Sequence, residues 1–334
     1  MRGRRAQILL EVVDRYIHTR RPVSSQELVR VYRHRLSPAT IRNELHALEE
    51  EGYLSKPHAS AGRVPTVQGF RFFAQWLLSL AETEPKGARL PAESQPAPGL
   101  PPLPELLRRT ALLLSGMTGE LGFVVLPSCQ EAQCLSMVLR EIQPGTVLAA
   151  TVSEFGVMEA RLLPVPPDLS PAELKEAEAW LAARLRAPHA ESPAPRQGRA
   201  AYLAHQLLAE LQKGPPPSRI LVEGWPQLLS ELSEHSPGWA LERLRGFLRL
   251  LQSESEFLTI LWELRRDQPG LMAHVGVDQV PALREFALVT SPYLAERGIL
   301  GVVGPLWMDY ARAFSAVRYL TSRLQSLLRP GGSA

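Results

Sequence analysis

The chain has 334 residues, 45% hydrophobic and 21% charged, which is room for two or three domains with cores of their own. Its net charge of +3 is unevenly spread: residues 1–75 hold 13 Lys/Arg against 7 Asp/Glu, a net of +6, so the remainder is slightly acidic. Two cysteines without disulfide or zinc spacing, and no apolar run approaching about 18 residues, argue against a secreted disulfide framework and a membrane span; the expected protein is cytoplasmic, with a local anionic partner such as DNA.

Ile8, Leu9, Val12, Val13, Tyr16 and Ile17 recur at helical spacing over residues 4–19, and Pro22 stops that helix. Ser24 or Ser25 caps a second helix to about Arg33. Ser37 then offers an N-cap and Pro38 the first helical position, where its missing N–H costs nothing. Ile41, Leu45 and Leu48 form one buried stripe on this third helix, which ends near Gly52. Ala39, Asn43 and His46 occupy its other face, with Thr40 and Arg42 on the flanks. Small and polar groups near a helix N-terminus, beside a bidentate donor and an amide, suit entry into the major groove. Asn43 is the only asparagine in the chain.

Tyr53 to Thr66 reads as two extended segments around a turn containing Gly62, a basic β-wing. A helix from Val67 to about Glu82 carries Phe70, Phe73, Trp76, Leu77 and Leu80. Residues 1–82 therefore read as a winged helix-turn-helix. Residues 83–104, rich in Pro, Ala and Gly, read as a semi-rigid linker.

The body opens with a helix from Pro104 to about Gly116. Strands are expected at Gly122–Leu126, Leu135–Ile142, Val147–Ser153 and Val157–Leu163, and a helix from Ser170-Pro171 through Leu185. Residues 199–212 look helical, 219–223 strand-like and 226–264 mostly helical. Strands return at His274–Val277, Phe286–Thr290 and Gly298–Val303, before a final helix from Pro305 to about Leu328.

The sequence resembles the HrcA family of heat-inducible transcription repressors. The likeness is carried by Pro22-Val23-Ser24-Ser25, Ala39-Thr40-Ile41-Arg42-Asn43, Leu48-Glu49, Gly52-Tyr53-Leu54, Pro57-His58 and Ser60-Ala61-Gly62-Arg63-Val64-Pro65-Thr66. In the body it continues through Thr110-Ala111-Leu112-Leu113-Leu114-Ser115, Gly301-Val302-Val303-Gly304-Pro305 and Met308-Asp309-Tyr310, while residues 164–265 match loosely. Leu306-Trp307 stands where the family usually has Thr-Arg, and the linker is unusually proline-rich. The resemblance implies an α+β multidomain protein: the winged helix, a GAF-like α/β domain (105–163 and 245–330) and a dimerisation domain inserted at 164–244. It also implies a homodimer on an inverted-repeat operator upstream of chaperone genes, kept active by a GroE-type chaperonin and released on heat stress.

Arg42 and Asn43 are the main candidates for base contact, since Arg pairs bidentately with guanine and Asn with adenine; His46 shares their face. Ser37 and Thr40 either bond phosphates or only cap the helix. His58, Ser60 and Arg63 would place the wing on the DNA backbone or in the minor groove. Arg2, Arg4 and Arg5 are either further phosphate contacts or a solvated tail. No GxSxG, P-loop or GxGxxG occurs, and His58 near Ser60 has no acidic orienter nearby in sequence. The expectation is a protein without catalytic residues, cofactor or metal. The alternative is a winged-helix regulator controlled by a small effector in its GAF-like domain.

Overall fold

The computed structural model describes residues 3–32, 36–58, 61–83, 103–126, 134–153, 158–186, 199–212, 220–235, 237–266, 269–294 and 298–328. Helices α1 (Arg4–Thr19), α2 (Ser25–Val31) and α3 (Pro38–Glu50) come first, then the strand pair β1 (Leu54–Ser55) and β2 (Val64–Pro65), and helix α4 (Val67–Thr83). Ser24 caps α2 in a reciprocal box: its hydroxyl accepts from the Glu27 N–H, and the Glu27 carboxylate accepts from the Ser24 N–H. Ile8, Leu9, Val12, Val13, Leu28, Ile41, Leu45 and Leu48 are fully buried between the first three helices.

The body consists of α5 (Leu103–Thr118), β3 (Leu121–Val125), β4 (Cys134–Gln143), β5 (Thr146–Ser153), β6 (Met158–Pro164), α6 (Pro171–Arg186), α7 (Arg199–Gln212), β7 (Ile220–Glu223), α8 (Trp225–His235), α9 (Pro237–Gln252), α10 (Glu254–Arg265), β8 (Met272–Val275), β9 (Phe286–Tyr293), β10 (Gly298–Pro305) and α11 (Tyr310–Leu327). Five strands form one antiparallel sheet in the order β7-β3-β10-β9-β8. Its side chains alternate between two cores, as the two-residue period of a strand requires. Val124, Ala287, Val289, Leu300 and Val302 face α5, α11 and the N-terminal helices. Phe123, Val125, Phe286, Leu288, Ile299 and Val303 face α8, α9 and α10. Gly122 lets α5 lie directly on β3, because a Cβ there would stand 2.3 Å from the Ala111 carbonyl oxygen.

A second sheet, β4-β5-β6, stands apart from the first. One of its faces packs Met137, Leu139, Val147, Ala149 and Leu163 against Ala177 and Leu181 of α6 and Leu203, Ala204 and Leu207 of α7. Hydrogen bonding thus groups the chain differently from the expected split at 164–244. β4, β5 and β6 leave the main sheet, whereas β7, expected inside the insertion, pairs with β3 from Gly122↔Glu223 to Val125↔Ile220. Local periodicity announces a strand but not its partner.

The final helix begins at Tyr310 rather than Pro305, because β10 runs on through Pro305 and Asp309 is the N-cap, accepting from the Arg312 N–H at 3.0 Å. The expected linker at 83–104 lies largely outside the described residues, but the N-terminal module packs directly on the body. Its core is continuous with that of α5, α11 and the sheet. The Arg71 guanidinium of α4 donates to the carbonyls of Val275, the last residue of the edge strand β8, and of Gly276, and pairs with Asp278 at 2.8 Å. Arg20, in left-handed conformation at the end of α1, donates to the Trp307 carbonyl at 2.6 Å and lies 6.0 Å from the Trp307 ring centre. Among the described residues no helix is long and apolar enough to cross a membrane.

Candidate nucleic-acid interface

Helix α3 is held by its buried stripe Ile41, Leu45 and Leu48, and packs on α1, α2 and β1. Its opposite face is open: Ala39, Arg42, Asn43 and His46 are all exposed. His46 lies 3.5 Å from Glu50 one turn on, both side chains being about two-thirds exposed. Ser37 Oγ accepts from the Thr40 N–H at 3.1 Å and lies 2.8 Å from Thr40 Oγ1, so both hydroxyls take part in the N-cap. Pro38 has no N–H, that of Thr40 goes to Ser37 Oγ and that of Ile41 to the Ser37 carbonyl, which leaves the Ala39 N–H at the positive end of the helix dipole.

The hairpin after α3 is built around three constraints. Val23 and Arg63 exchange both backbone hydrogen bonds at 2.8 Å, tying the wing to the segment before α2. Gly62 allows that approach, since a Cβ there would fall 2.5 Å from the Val23 carbonyl oxygen. Thr66 donates its hydroxyl to the Gly52 carbonyl at 2.6 Å and accepts from the Gly69 N–H, which joins the end of the wing to the start of α4.

The sequence-predicted residues separate into two sets. Arg42, Asn43 and His46 form one exposed edge of α3, Ser37 and Thr40 lie at its N-terminus, and His58 is exposed on the hairpin. Ser60 lies outside the described residues. Arg63 does not share that surface: its side chain is only 17% exposed and its Nη2 lies 3.2 Å from Glu49 of α3. The expected outward wing arginine is instead drawn inward by a carboxylate 14 residues earlier. Arg5 is likewise no free tail, because its Nε donates to Glu44 at 2.8 Å and its Nη1 pairs with Glu51. The Glu44 contact is the largest influence raising the Arg5 pKa.

Beneath α8–α10, the face of the main sheet is filled with aromatic rings: Phe247 stacks on Phe286 at 4.5 Å and Phe123 meets Phe257 edge-on at 5.8 Å. A cleft of about 480 Å³ lies elsewhere, between α1, α4 and the start of α11, lined among others by Glu11, Asp14, Phe73, Trp76 and Asp309.

A family model described as "HrcA protein C terminal domain" matches residues 104–314. A relative from Beutenbergia cavernae, named "Heat-inducible transcription repressor HrcA", is 32% identical over 351 residues, covering 97% of this chain and 98% of its own. The chain belongs to the HrcA family. A second relative of the same name, from Pelotomaculum thermopropionicum, is 28% identical and covers 97% of this chain and 96% of its own. HrcA relatives of this kind therefore extend over the N-terminal module as well as the body. A crystal structure of a protein titled hypothetical superposes with a TM-score of 0.63 at 25% identity, covering 97% of this chain and 98% of that one. As a member of the HrcA family the chain is a heat-inducible transcription repressor.

Proposed function

We propose that this HrcA-family repressor reads an inverted-repeat operator with α3, as a homodimer, and lets it go on heat stress. The observation that carries the reading is the exposed edge of Arg42, Asn43 and His46 on a helix whose opposite stripe is fully buried. Arg42 and Asn43 supply the bidentate donors and acceptors that base edges require. The Ala39 N–H and the hydroxyls of Ser37 and Thr40 take a phosphate at the start of α3, and His58 on the wing touches the adjoining backbone. In this reading residues 1–82 are the winged helix and the five-stranded sheet with α5, α8–α11 is the GAF-like domain.

The insertion that dimerises is the β4-β5-β6 sheet with α6 and α7. Among the described residues, the face of that sheet away from its helices carries a run of exposed apolar side chains around Arg140: Met158 is 67% exposed, Leu162 65% and Ile142 59%. Cross-strand rows Val138–Ala150–Ala160 and Arg140–Leu148–Leu162 continue the same face through the central strand. In this reading a second copy of the chain covers it, which adds 134–164 to the expected 164–244 as a place of contact. An apolar patch of this kind on an otherwise ordinary surface marks a protein interface. The chaperonin partner and the cytoplasmic setting come with the family reading. The small-effector alternative is weakened by the phenylalanines that fill the sheet face under α8–α10.

The test is binding to an inverted-repeat duplex and to a scrambled one across a salt series, with and without chaperonin. Tight, steeply salt-dependent binding to the repeat alone supports the reading. Equal binding to both duplexes, unchanged by chaperonin, ends it.

A further inference from the structure

The last turn of α3 is electrostatically ill-matched. Glu49 and Glu50 stand there, Glu51 is the C-cap, and the last turn holds no basic residue, although the negative end of a helix dipole disfavours carboxylates; within the helix only His46 approaches one of them, Glu50. The compensation comes from outside. At 100° per residue, Glu44 and Glu51 fall on one flank of α3 and Glu49 on the other, with Asn43 and His46 between them. Arg5 of α1 grips the first flank, through Glu44 at 2.8 Å and through Glu51. Arg63 of the wing grips the second, through Glu49 at 3.2 Å, while its own backbone is tied to Val23.

We infer that Arg5 and Arg63 are positioning residues for DNA reading: they brace α3 from both sides and set its roll, without touching DNA themselves. This rests on the reading of α3 as the DNA-contacting helix. A helix seated by an apolar stripe of three residues still has freedom to roll by some degrees. A few degrees at the helix axis displaces the long Arg42 tip and the Asn43 amide from a base edge, whereas contacts to the phosphates tolerate it. Bracing therefore acts on discrimination between sequences more than on total affinity.

The experiment uses duplexes that the wild-type full chain selects from a randomised pool, each compared with a scrambled version. The variants are Arg5→Ala, the pair Glu44→Gln with Glu51→Gln, the three changes together, and Glu49→Gln as an isosteric probe of the Arg63 flank. Binding is measured at a temperature where circular dichroism shows each variant folded. Arg5→Ala and the double glutamine variant change net charge in opposite directions, so scrambled DNA is bound more weakly by the first and more tightly by the second. The selected-to-scrambled ratio nevertheless falls in both, by about three- to fivefold, as expected for loss of partly exposed ion pairs. The triple variant discriminates no worse than either, and Glu49→Gln lowers the ratio as well.

One result overturns the inference: a selected-to-scrambled ratio unchanged in Arg5→Ala and in the double glutamine variant. If Arg5→Ala weakens both duplexes equally and the glutamines strengthen both equally, Arg5 is a plain charge acting on phosphates. Failure of the wild-type chain to select any consensus is a separate outcome: it removes the DNA reading itself, and the bracing role with it.

Discussion

Among the described residues two exposed surfaces stand out, and they differ in kind. The outer edge of α3 is polar, with Arg42, Asn43 and His46 standing over a buried stripe. The outer face of β4-β5-β6 is apolar, with Met158 and Leu162 about two-thirds exposed beside Val138 and Ile142. Both arise from the same device, a regular element with one face buried and one free. The chemistry of the free face then selects the partner. Donors and acceptors on a rigid helix suit base edges, while a flat apolar sheet gains by excluding water against a copy of itself.

The largest expected effect lies on the apolar surface. Leu162→Glu with Met158→Glu should convert dimer to monomer in sedimentation velocity, since each lost apolar side chain removes about 1.5–3 kcal/mol and the interface contains it twice. The fold of the monomer should survive, because these side chains lie outside the core formed with α6 and α7. A variant that stays dimeric breaks the assignment of that face.

Next comes a control buried in neither surface. Burial first, and the Arg265 charge second, hold the His274 pKa down at about 4, and its Nε2 has no hydrogen-bond partner among the described residues. The unfolded chain takes up that proton near the ordinary value of about 6.5. The folded-state pKa is depressed, so the full contribution is present above about 6.5 and declines as pH falls toward 4, by roughly 3 kcal/mol at most. His274→Leu should flatten this part of the stability profile in denaturant titrations, leaving operator binding at neutral pH intact. An unchanged profile places the proton elsewhere.

Asn43→Ala sharpens the polar side of the comparison: a loss of about 1–3 kcal/mol on the operator with little change on scrambled duplex. Equal losses on both would demote Asn43 to a phosphate contact. The smallest effect is expected at the seam joining the two regions. Arg71→Ala removes donors from the carbonyls of Val275 and Gly276 and should cost about 1–2 kcal/mol, read as faster amide exchange in β8 and α4 with discrimination preserved.

Much of the proposed DNA-facing site is legible in the sequence because it is local. An N-cap, a proline at the first helical position and a three-residue apolar stripe determine where α3 starts and which residues it turns outward. The same reasoning locates almost every strand of the body. It misplaces Arg63, whose position in a basic wing says nothing of Glu49 waiting on the neighbouring helix. It misses Arg5 as a brace for the same reason, since Glu44 and Glu51 lie 39 and 46 residues away in the chain.

The sequence by itself determined the elements, the exposed edge of α3 and the likeness to the HrcA family, all of which depend on residues within a few turns or on motifs read in order. Tertiary structure alone decided which strands share a sheet, that β7 joins β3 across 95 residues, and that the N-terminal module is fastened to the body through Arg71 at β8 and Arg20 at Trp307. The physical reason is that periodicity reports how much of a face is buried, while the identity of what buries it depends on contacts between distant segments that leave no period behind.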